Sequence, residues 1–393
     1  MTPNQTAGGR QIILFTFMRW VTNTNLRMLY PFLAVFARGM GVDILSISLV
    51  ISTRFLLAMF SPLLAPIADR LGRKTAMLAG MTVFTTAVAL VYFFPTFPVF
   101  FITHCAAFLG GVLVMTSIQA YLGDHVPYEQ RGRMFGILEM GWSLAFLLGM
   151  PLVAFLIGRY GWQSPFPMLA VFGLLVIVTL QRMVPGDRPV KGSHAVGWGQ
   201  YKSILRSPIV LYALAMTAVM GVYSEVVFMI FGVWMEEAFG LLIVGLGIVS
   251  ALLGVAELGG EALTFKLADR LGKLTAIKIG VIISAIVAAG LLLITRSLPL
   301  ALVGLVLFTL GYEFAYVSSV PFLSEILPQS RATFLGLNAA ALALGRGVGA
   351  VISPIVYNYG IRANLLVALA ACLVALFIVG RLKQSVKGTG NLG

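Results

Sequence analysis

Long apolar segments follow one another along almost the whole chain, and they restrict its fold more than any other feature of the sequence. A helix that crosses a bilayer needs about 20 mostly apolar residues, because no backbone N–H or C=O group can stay unpaired in hydrocarbon. The 393-residue chain contains twelve such segments. We number them span 1 to span 12, at residues 12–37, 44–67, 75–95, 98–122, 133–157, 164–182, 208–234, 240–265, 275–295, 298–322, 332–357 and 363–381.

Composition and charge both agree with a membrane protein. Hydrophobic residues make up 59% of the chain and charged residues 10%, whereas about a quarter of a soluble chain is charged. Of the 27 Lys and Arg residues, 19 lie in segments on the side of the N-terminus and four on the opposite side. This asymmetry is the positive-inside pattern, so the net charge of +13 reports topology and predicts that both termini are cytoplasmic.

Several kinds of chemistry have no support in the sequence. There is no Gly-x4-Gly-Lys-Ser/Thr loop for ATP and no Gly-x-Ser-x-Gly elbow for acyl transfer. The three histidines and two cysteines are too scattered for a zinc site, and Cys105 and Cys372 both fall in apolar spans, which argues against a disulfide framework. We therefore expect a protein that is not an enzyme, with no cofactor, no bound metal and no nucleic-acid partner.

The chain also repeats itself at an offset of about 200 residues. Residues 68–76 read ADRLGRKTA and residues 268–276 read ADRLGKLTA. Pro127 and Arg131 likewise recur as Pro328 and Arg331. The repeat predicts two six-helix bundles at 12–182 and 208–381, joined by a polar cytoplasmic linker at 183–207, with a short cytoplasmic segment at 1–11 and a flexible tail at 382–393.

Twelve spans, a central cytoplasmic loop and the paired Asp-Arg-Leu-Gly-(Arg/Lys) loops resemble the major facilitator superfamily of secondary transporters. The resemblance covers residues 12–381 and implies an all-α membrane fold of two pseudo-symmetric bundles. It implies that spans 1, 4, 7 and 10 line a central cavity, that spans 2, 5, 8 and 11 lie where the halves meet, and that the other four lie outside.

Ionisable groups within the spans agree with that arrangement. A charge in the middle of a membrane costs at least about 2.5–3.5 kcal/mol, so each one needs a partner, water or a function. Spans 3, 6 and 12 have no such group in their interiors, and span 9 has only Lys278 near one end. The ten groups are Arg19, Arg27, Arg54, His104, Glu139, Glu225, Glu257, Glu261, Glu313 and Arg346.

The charges divide unequally between the two halves, with arginines prevailing in the first and glutamates in the second. Our hypothesis is that the arginines bind an anionic part of the substrate, because the guanidinium fork suits carboxylate or phosphate. The predicted substrate-binding residues are Arg19, Asn23, Arg27, Arg54 and Arg346. The glutamates would carry protons, since burial raises a carboxyl pKa; the predicted coupling residues are Glu225, Glu313, Glu257, Glu261, Glu139 and His104. The alternative is that these groups form ion pairs that only lock one end of the cavity.

The repeated loops carry a further role by resemblance. In the family such loops act as a cytoplasmic latch that breaks and reforms during transport. That role is carried to Asp69, Arg70, Gly72 and Arg73, and to Asp269, Arg270 and Gly272. The alternative is a simple basic turn. This sequence departs from the family pattern four residues before each aspartate, where Ala65 and Phe265 replace a glycine.

These observations together predict a multi-pass transporter of the cell membrane that works by alternating access as a monomer. We expect proton-coupled export of a small amphipathic compound, because Gly149-Met150-Pro151 followed by Ala154 and Gly158 resembles the antiporter motif of drug exporters. The span-4 arginine of those exporters is absent. The alternatives are an organic-anion transporter, as a symporter or an exchanger that uses the arginines, and translocation of an amphiphilic lipid.

Overall fold

A computed structural model describes residues 9–60, 70–186, 204–294, 296–327 and 330–388. Within these ranges the regular structure is entirely helical. Residues 382–388 of the predicted tail continue the last helix, whereas residues 389–393 and most of the predicted linker lie outside the described residues. The all-α fold class is confirmed.

The first six spans have the following helices. Span 1 consists of Gly9–Arg27 and Leu33–Met40, span 2 of Ile44–Ala58, span 3 of Arg73–Phe93, span 4 of Phe97–His125, span 5 of Tyr128–Leu144 and Met150–Tyr160 joined by the π-helical turn Ala145–Gly149, and span 6 of Pro165–Met183.

The last six spans follow the same order. Span 7 consists of Pro208–Phe228 and Phe231–Phe239, span 8 of Ile243–Leu271, span 9 of Lys273–Leu293, span 10 of Leu298–Ile326, span 11 of Arg331–Tyr357 and span 12 of Ile361–Gly388.

Ten helices of the described chain are long and apolar enough to cross a membrane, and they correspond to spans 3 to 12. The number rises to eleven if the bent pair Leu33–Met40 and Ile44–Ala58 is a single span. The helix Gly9–Arg27 contains three arginines, which lower its apolar character. The cytoplasmic position of the termini stays a prediction.

Spans 1 and 7 are both interrupted. In span 1 the interruption surrounds Pro31, which has no N–H to continue the helix, and the Arg27 carbonyl accepts a hydrogen bond from Tyr30 N instead. In span 7 the Val226 carbonyl accepts bonds from Ser353 Oγ at 2.7 Å and Asn364 Nδ2 at 3.1 Å. Side chains of neighbouring helices therefore bond the carbonyl group that precedes the second interruption.

The described residues cluster into two compact units. The first unit takes the described parts of Met1–Val50, Phe60–His194 and Leu242–Gly254. The second takes the described parts of Ile51–Met59, Ala195–Leu241 and Val255–Gly393. The domain boundaries derived from the sequence stay a prediction.

Close glycine contacts recur in the two units. In the first unit, a Cβ added at Gly80 of span 3 would lie 2.6 Å from the carbonyl oxygen of Gly110 on span 4. In the second unit, a Cβ added at Gly280 of span 9 would lie 2.5 Å from the carbonyl oxygen of Gly311 on span 10. The sequence repeat thus preserves the close helix packing that small residues permit in membranes.

Spans 7 and 11 pack even more closely, and this contact gives a testable prediction. A Cβ on Gly345 would overlap the backbone carbonyl of Ala218, so Gly345→Ala is expected to destabilise the protein by about 1–3 kcal/mol through overpacking. Gly336, on the same helix, has no neighbour within 4 Å of an added Cβ, and Gly336→Ala is expected to stabilise by about 0.4–1 kcal/mol. Thermal unfolding of both variants in detergent tests this; equal midpoints would contradict it.

Candidate transport site

Arg19 of span 1 forms an ion pair with Glu139 of span 5. The guanidinium donates through Nη1 to Glu139 Oε1 at 2.9 Å and through Nη2 to Oε2, and Nη1 also contacts Met115 Sδ at 3.3 Å. Arg19 is 13% exposed and Glu139 is 49% exposed. This bidentate geometry is the strong form of the arginine–carboxylate pair. It joins a predicted binding residue to a predicted coupling residue.

The guanidinium of Arg27 packs against aromatic rings of span 5. Its guanidinium lies 3.5 Å from the centre of the Phe146 ring and 4.4 Å from that of Trp142, and Nη1 donates to the Trp142 carbonyl at 3.0 Å. The residue is 4% exposed. Desolvated contacts of this kind contribute about 2 kcal/mol, so any ligand of Arg27 has to compete with span 5.

Asn23 and His104 are also buried in the first unit. Asn23 is 7% exposed, and its Nδ2 has no hydrogen-bond partner among the described residues. His104 is 1% exposed and stacks on Phe100 with ring centres 5.0 Å apart. Span 1 thus includes two buried amide side chains, Asn23 and Asn25, with polar atoms that have no hydrogen-bond partner in the part of the chain that the structure describes.

The second unit contains an acid–base pair of a buried glutamate and a partly buried arginine. Glu225 of span 7 is 1% exposed, and its Oε2 lies 3.7 Å from Arg346 Nε of span 11. Arg346 Nη2 donates to the hydroxyl of Tyr312 on span 10 at 3.4 Å. A Cβ added at Gly349 would lie 2.8 Å from Glu225 Cβ, so this glycine allows the carboxylate close to span 11.

Aromatic side chains surround this pair. Tyr312 stacks in parallel on Tyr316 at 5.9 Å and packs edge-on against Tyr223 at 5.7 Å, and Phe228 lies 6.4 Å from Tyr312. The Arg346 guanidinium lies 5.8 Å from the ring of Phe55, which belongs to the part of span 2 that clusters with this unit. The Glu225–Arg346 pair and a cluster of aromatic rings therefore lie side by side in the second unit.

The remaining predicted acids lie on spans 8 and 10. Glu313 is 7% exposed, and a Cβ added at Gly260 of span 8 would lie 2.6 Å from its Cβ. Glu257 is 2% exposed, whereas Glu261, next to Gly260 in sequence, is half-buried. The contact at Gly260 brings the acidic stretch of span 8 against Glu313.

Arg54 belongs to the second unit rather than to that of Arg19 and Arg27. It is 4% exposed on the helix Ile44–Ala58. Two residues before it, Ser52 Oγ donates to the Gly347 carbonyl of span 11 at 3.0 Å. The three arginines that the sequence groups together are thus divided between two units.

The first signature loop is described from Arg70 onward, and Asp69 lies outside the described residues. Arg70 is exposed, and Gly72 precedes span 3 with a φ of 83°, a conformation that favours glycine. Arg73 Nε lies 3.3 Å from Asp124 Oδ2 at the end of span 4. The loop arginine is therefore bound to the neighbouring span.

The second loop repeats this arrangement. Gly272 has a φ of 81°, and Lys273 Nζ donates to Glu325 Oε1 at the end of span 10. Asp269 and Arg270 are exposed. A shallow cavity of about 390 Å³ opens here, lined by Asp269, Gly272, Lys273, Leu274, Thr275, Phe322 and Glu325.

The repeated ion pair gives a second prediction. Arg73→Lys shortens the side chain that reaches Asp124, so the contact is weakened, and the change is expected to cost about 0.2–1 kcal/mol, the usual range for a partly exposed pair. Adding Asp124→Glu recreates the lysine–glutamate pair of the second loop and is expected to recover most of that loss. A double-mutant cycle on thermal unfolding measures the coupling; additive effects of the two substitutions would contradict it.

Sequence reasoning missed several of these partners. Asp124 and Glu325 had a detectable signal, because they recur at an offset of 201 while Arg73 and Lys273 recur at 200. The rings of Trp142 and Phe146 had no signal beyond their spacing of four residues. In the part of the chain that the structure describes, no three His, Cys, Asp or Glu side chains are grouped so that they could hold a metal ion.

Comparison with known proteins identifies the class. The sequence profile of the Major Facilitator Superfamily matches residues 15–334. The chain belongs to this superfamily of membrane transporters. It is accordingly a multi-pass protein of the cell membrane.

Three relatives illustrate the range of the match. The uncharacterized MFS-type transporter YceJ of Bacillus subtilis (strain 168) is 26% identical over 97% of both chains. Multidrug resistance protein 2 of the same organism is 21% identical over 80% of each chain. The crystal structure of a bacterial homologue of the human lysosomal transporter Spinster, inward-facing and unoccupied, superposes with a TM-score of 0.81 at 12% identity, over 95% of this chain and 96% of that one. This likeness shows the fold.

Members of the superfamily move small molecules and are in general not enzymes, so transport is the function class.

Proposed function

We propose that this protein is a proton-coupled secondary transporter that exports a small amphipathic compound by alternating access. The observation that carries the proposal is the buried carboxylate of Glu225 paired with Arg346 beside Tyr312 in the second unit. A carboxylate that is 1% exposed needs either a cation or a proton to stay in that position. The Glu225 carboxylate can be neutralised either by Arg346 or by a proton, and proton coupling requires that these two states alternate.

The proposed cycle uses the residues around this pair. With Glu225 ionised, Arg346 is held beside it. A proton on Glu225 removes the attraction and frees Arg346 to turn towards Tyr312 and its aromatic neighbours. An amphipathic substrate offers apolar surface to Tyr312, Tyr316 and Phe228, and a positive group on it would compete with Arg346 for the carboxylate. Substrate and proton would then exclude each other at Glu225, which gives antiport.

Other residues would support this exchange. Glu313, with Glu257 and Glu261 on span 8, would relay protons to or from Glu225, and the Arg19–Glu139 pair would be a second acid–base contact that opens during the cycle. The two signature loops would act as the cytoplasmic latch, through Asp69, Arg70, Gly72 and Arg73 in the first loop and Asp269, Arg270 and Gly272 in the second. Multidrug resistance protein 2, by its name, supports an efflux function for a relative of this fold.

Proton flux in proteoliposomes tests the proposal. The purified full chain is reconstituted with an internal pH dye, a pH gradient is imposed, and tetraphenylphosphonium, benzoate or lysophosphatidylcholine is added singly. Dissipation of the gradient by tetraphenylphosphonium in wild type but not in Glu225→Gln supports proton antiport. Liposomes without protein give the passive leak. No dissipation by any of the three, or equal dissipation by Glu225→Gln, would contradict the role of Glu225.

An organic-anion transporter is the second candidate, favoured by the buried guanidinium groups of Arg27 and Arg54. It ranks second because Trp142 and Phe146 already cover Arg27. In the same assay this candidate expects a response to benzoate that Arg27→Gln and Arg54→Gln abolish. A response to lysophosphatidylcholine alone would favour lipid translocation.

A further inference from the structure

The π-helical turn Ala145–Gly149 is the one irregular turn inside span 5, and the repeat shows that it is not required by the fold. The corresponding residues of span 11, 345–349, lie in the uninterrupted helix Arg331–Tyr357. Pro151, which has no counterpart at residue 351, lacks the N–H that would close an ordinary helical bond. A π turn is equivalent to one extra residue in a helix, and such turns are frequent at functional sites.

Span 1 supplies hydrogen bonds to this turn. Trp20 Nε1 donates to the Leu144 carbonyl at 3.1 Å, and Arg27 Nη1 donates to the Trp142 carbonyl at 3.0 Å. The Arg27 guanidinium also covers the ring of Phe146, which lies within the turn. Trp20 and Arg27 thus bond carbonyl groups just before Ala145, where the backbone hydrogen bonding changes from α-helical to π-helical.

The same turn contacts two further groups within the first unit. A Cβ added at Gly149 would lie 2.6 Å from Thr24 Oγ1 of span 1. A Cβ added at Gly254 of span 8 would lie 2.7 Å from Leu147 N and 3.1 Å from Phe146 Cβ. Glu257 follows Gly254 by three residues on the same helix. The turn is therefore packed between the polar face of span 1 and the stretch of span 8 that leads to a buried acid.

We propose that Trp20 and Arg27 are positioning residues that hold the π turn of span 5, and that this turn returns to ordinary helix when Arg27 is drawn away by a ligand. When the π turn becomes α-helix, the hydrogen-bonding register of span 5 shifts by one residue. This shift changes the surface of span 5 that contacts Gly254. Occupancy at span 1 is thereby transmitted to span 8. This inference goes beyond the proposed function, because an anionic ligand would attract Arg27 and a cationic ligand would compete with it for the rings of Trp142 and Phe146.

Hydrogen exchange on the full chain in lipid nanodiscs tests the first half of the proposal without any substrate. Trp20→Phe keeps the aromatic ring and removes the donor. The loss of one hydrogen bond, at about 0.5–1.5 kcal/mol, is expected to speed amide exchange in residues 145–149 about 2- to 12-fold. Residues 345–349 are expected to be unaffected. Trp162→Phe, which alters a tryptophan away from the turn, is the matched control. Unchanged exchange in residues 145–149 of Trp20→Phe would overturn the proposal.

Deleting one residue tests the second half. Leu148 is 56% exposed, and its removal would convert the π turn into regular helix with both flanks still in register. The Leu148 deletion is expected to fold with a near-wild-type unfolding midpoint, whereas the matched Val348 deletion in span 11 shifts every later residue and is expected not to fold. Failure of both deletions to fold would contradict the assignment of the turn as a one-residue insertion.

A transport assay distinguishes a role of the π turn in the transport cycle from a purely structural role. The Leu148 deletion variant is fixed in one form of the turn, so its uptake of tetraphenylphosphonium is expected to fall at least about tenfold, as expected when a conformational step is blocked. Transport at the wild-type rate would show that the conversion is not needed. If wild type does not transport the probe, the proposed function fails, while the exchange experiment on Trp20→Phe still decides whether span 1 holds the turn.

Discussion

Glu225→Gln is expected to abolish accumulation driven by a pH gradient while leaving substrate exchange across the membrane intact. Glutamine keeps the size of the side chain beside Gly349 but carries neither the charge that holds Arg346 nor an exchangeable acidic proton. A gradient of one pH unit can drive at most about tenfold accumulation per proton, since 1.36 kcal/mol corresponds to one unit. Paired assays of counterflow and gradient-driven accumulation of tetraphenylphosphonium in proteoliposomes measure both properties.

A control on the same span distinguishes coupling from a general effect of charge. Glu237 is exposed at the end of span 7 and bonds to the hydroxyl of Tyr357 at 2.9 Å. Glu237→Gln is expected to retain accumulation. Accumulation retained by Glu225→Gln would remove this residue from the coupling role, and loss of counterflow as well would assign it to binding.

Arg346→Ala is expected to have the largest effect on stability. The substitution leaves Glu225 buried without its arginine and removes a donor from Tyr312. Removing the charged partner of a buried carboxylate costs about 3–5 kcal/mol, which would lower the unfolding midpoint of a chain of this size by several degrees. Thermal unfolding in detergent, with Arg346→Ala and wild type purified in parallel, measures the loss.

The double variant decides whether the charge is the cause. Glu225→Gln combined with Arg346→Met removes both charges and keeps similar volumes, and it is expected to unfold close to wild type because replacing a buried pair by uncharged groups is often neutral. A double variant as unstable as Arg346→Ala would instead assign the loss to packing around Gly221 and Tyr312.

The positions of the spans could be predicted because they follow from simple requirements of the bilayer. Spans 3 to 12 all correspond to helices of sufficient length and apolar character. Arginines lower the apolar character of span 1. The sequence repeat around Arg73 and Lys273 nevertheless predicted two six-helix bundles. The interruption of span 1 has a cause in the sequence at Pro31, which ends a helix.

The partners of the charged groups could not be predicted, because pairing depends on helix rotation and on close approach at glycines. Arg346 lies beside Glu225 since Gly221, Gly345 and Gly349 allow spans 7 and 11 to touch. Residues 229 and 230 interrupt span 7 without a proline. Ser353 and Asn364, which bond the Val226 carbonyl before this interruption, are more than a hundred positions away from it in sequence. Nothing in the local periodicity of span 5 marks the π turn.

The two signature-loop ion pairs bear on how the chain diverged after its duplication. Arginine is longer than lysine by about as much as glutamate is longer than aspartate, so Arg73–Asp124 and Lys273–Glu325 have the same combined reach with no residue in common. A change in one member alone would have left the two spans too far apart or too close. The two copies therefore keep the same contact with different members, and the distance between neighbouring helices, rather than the identity of either side chain, is the property that the repeat preserves.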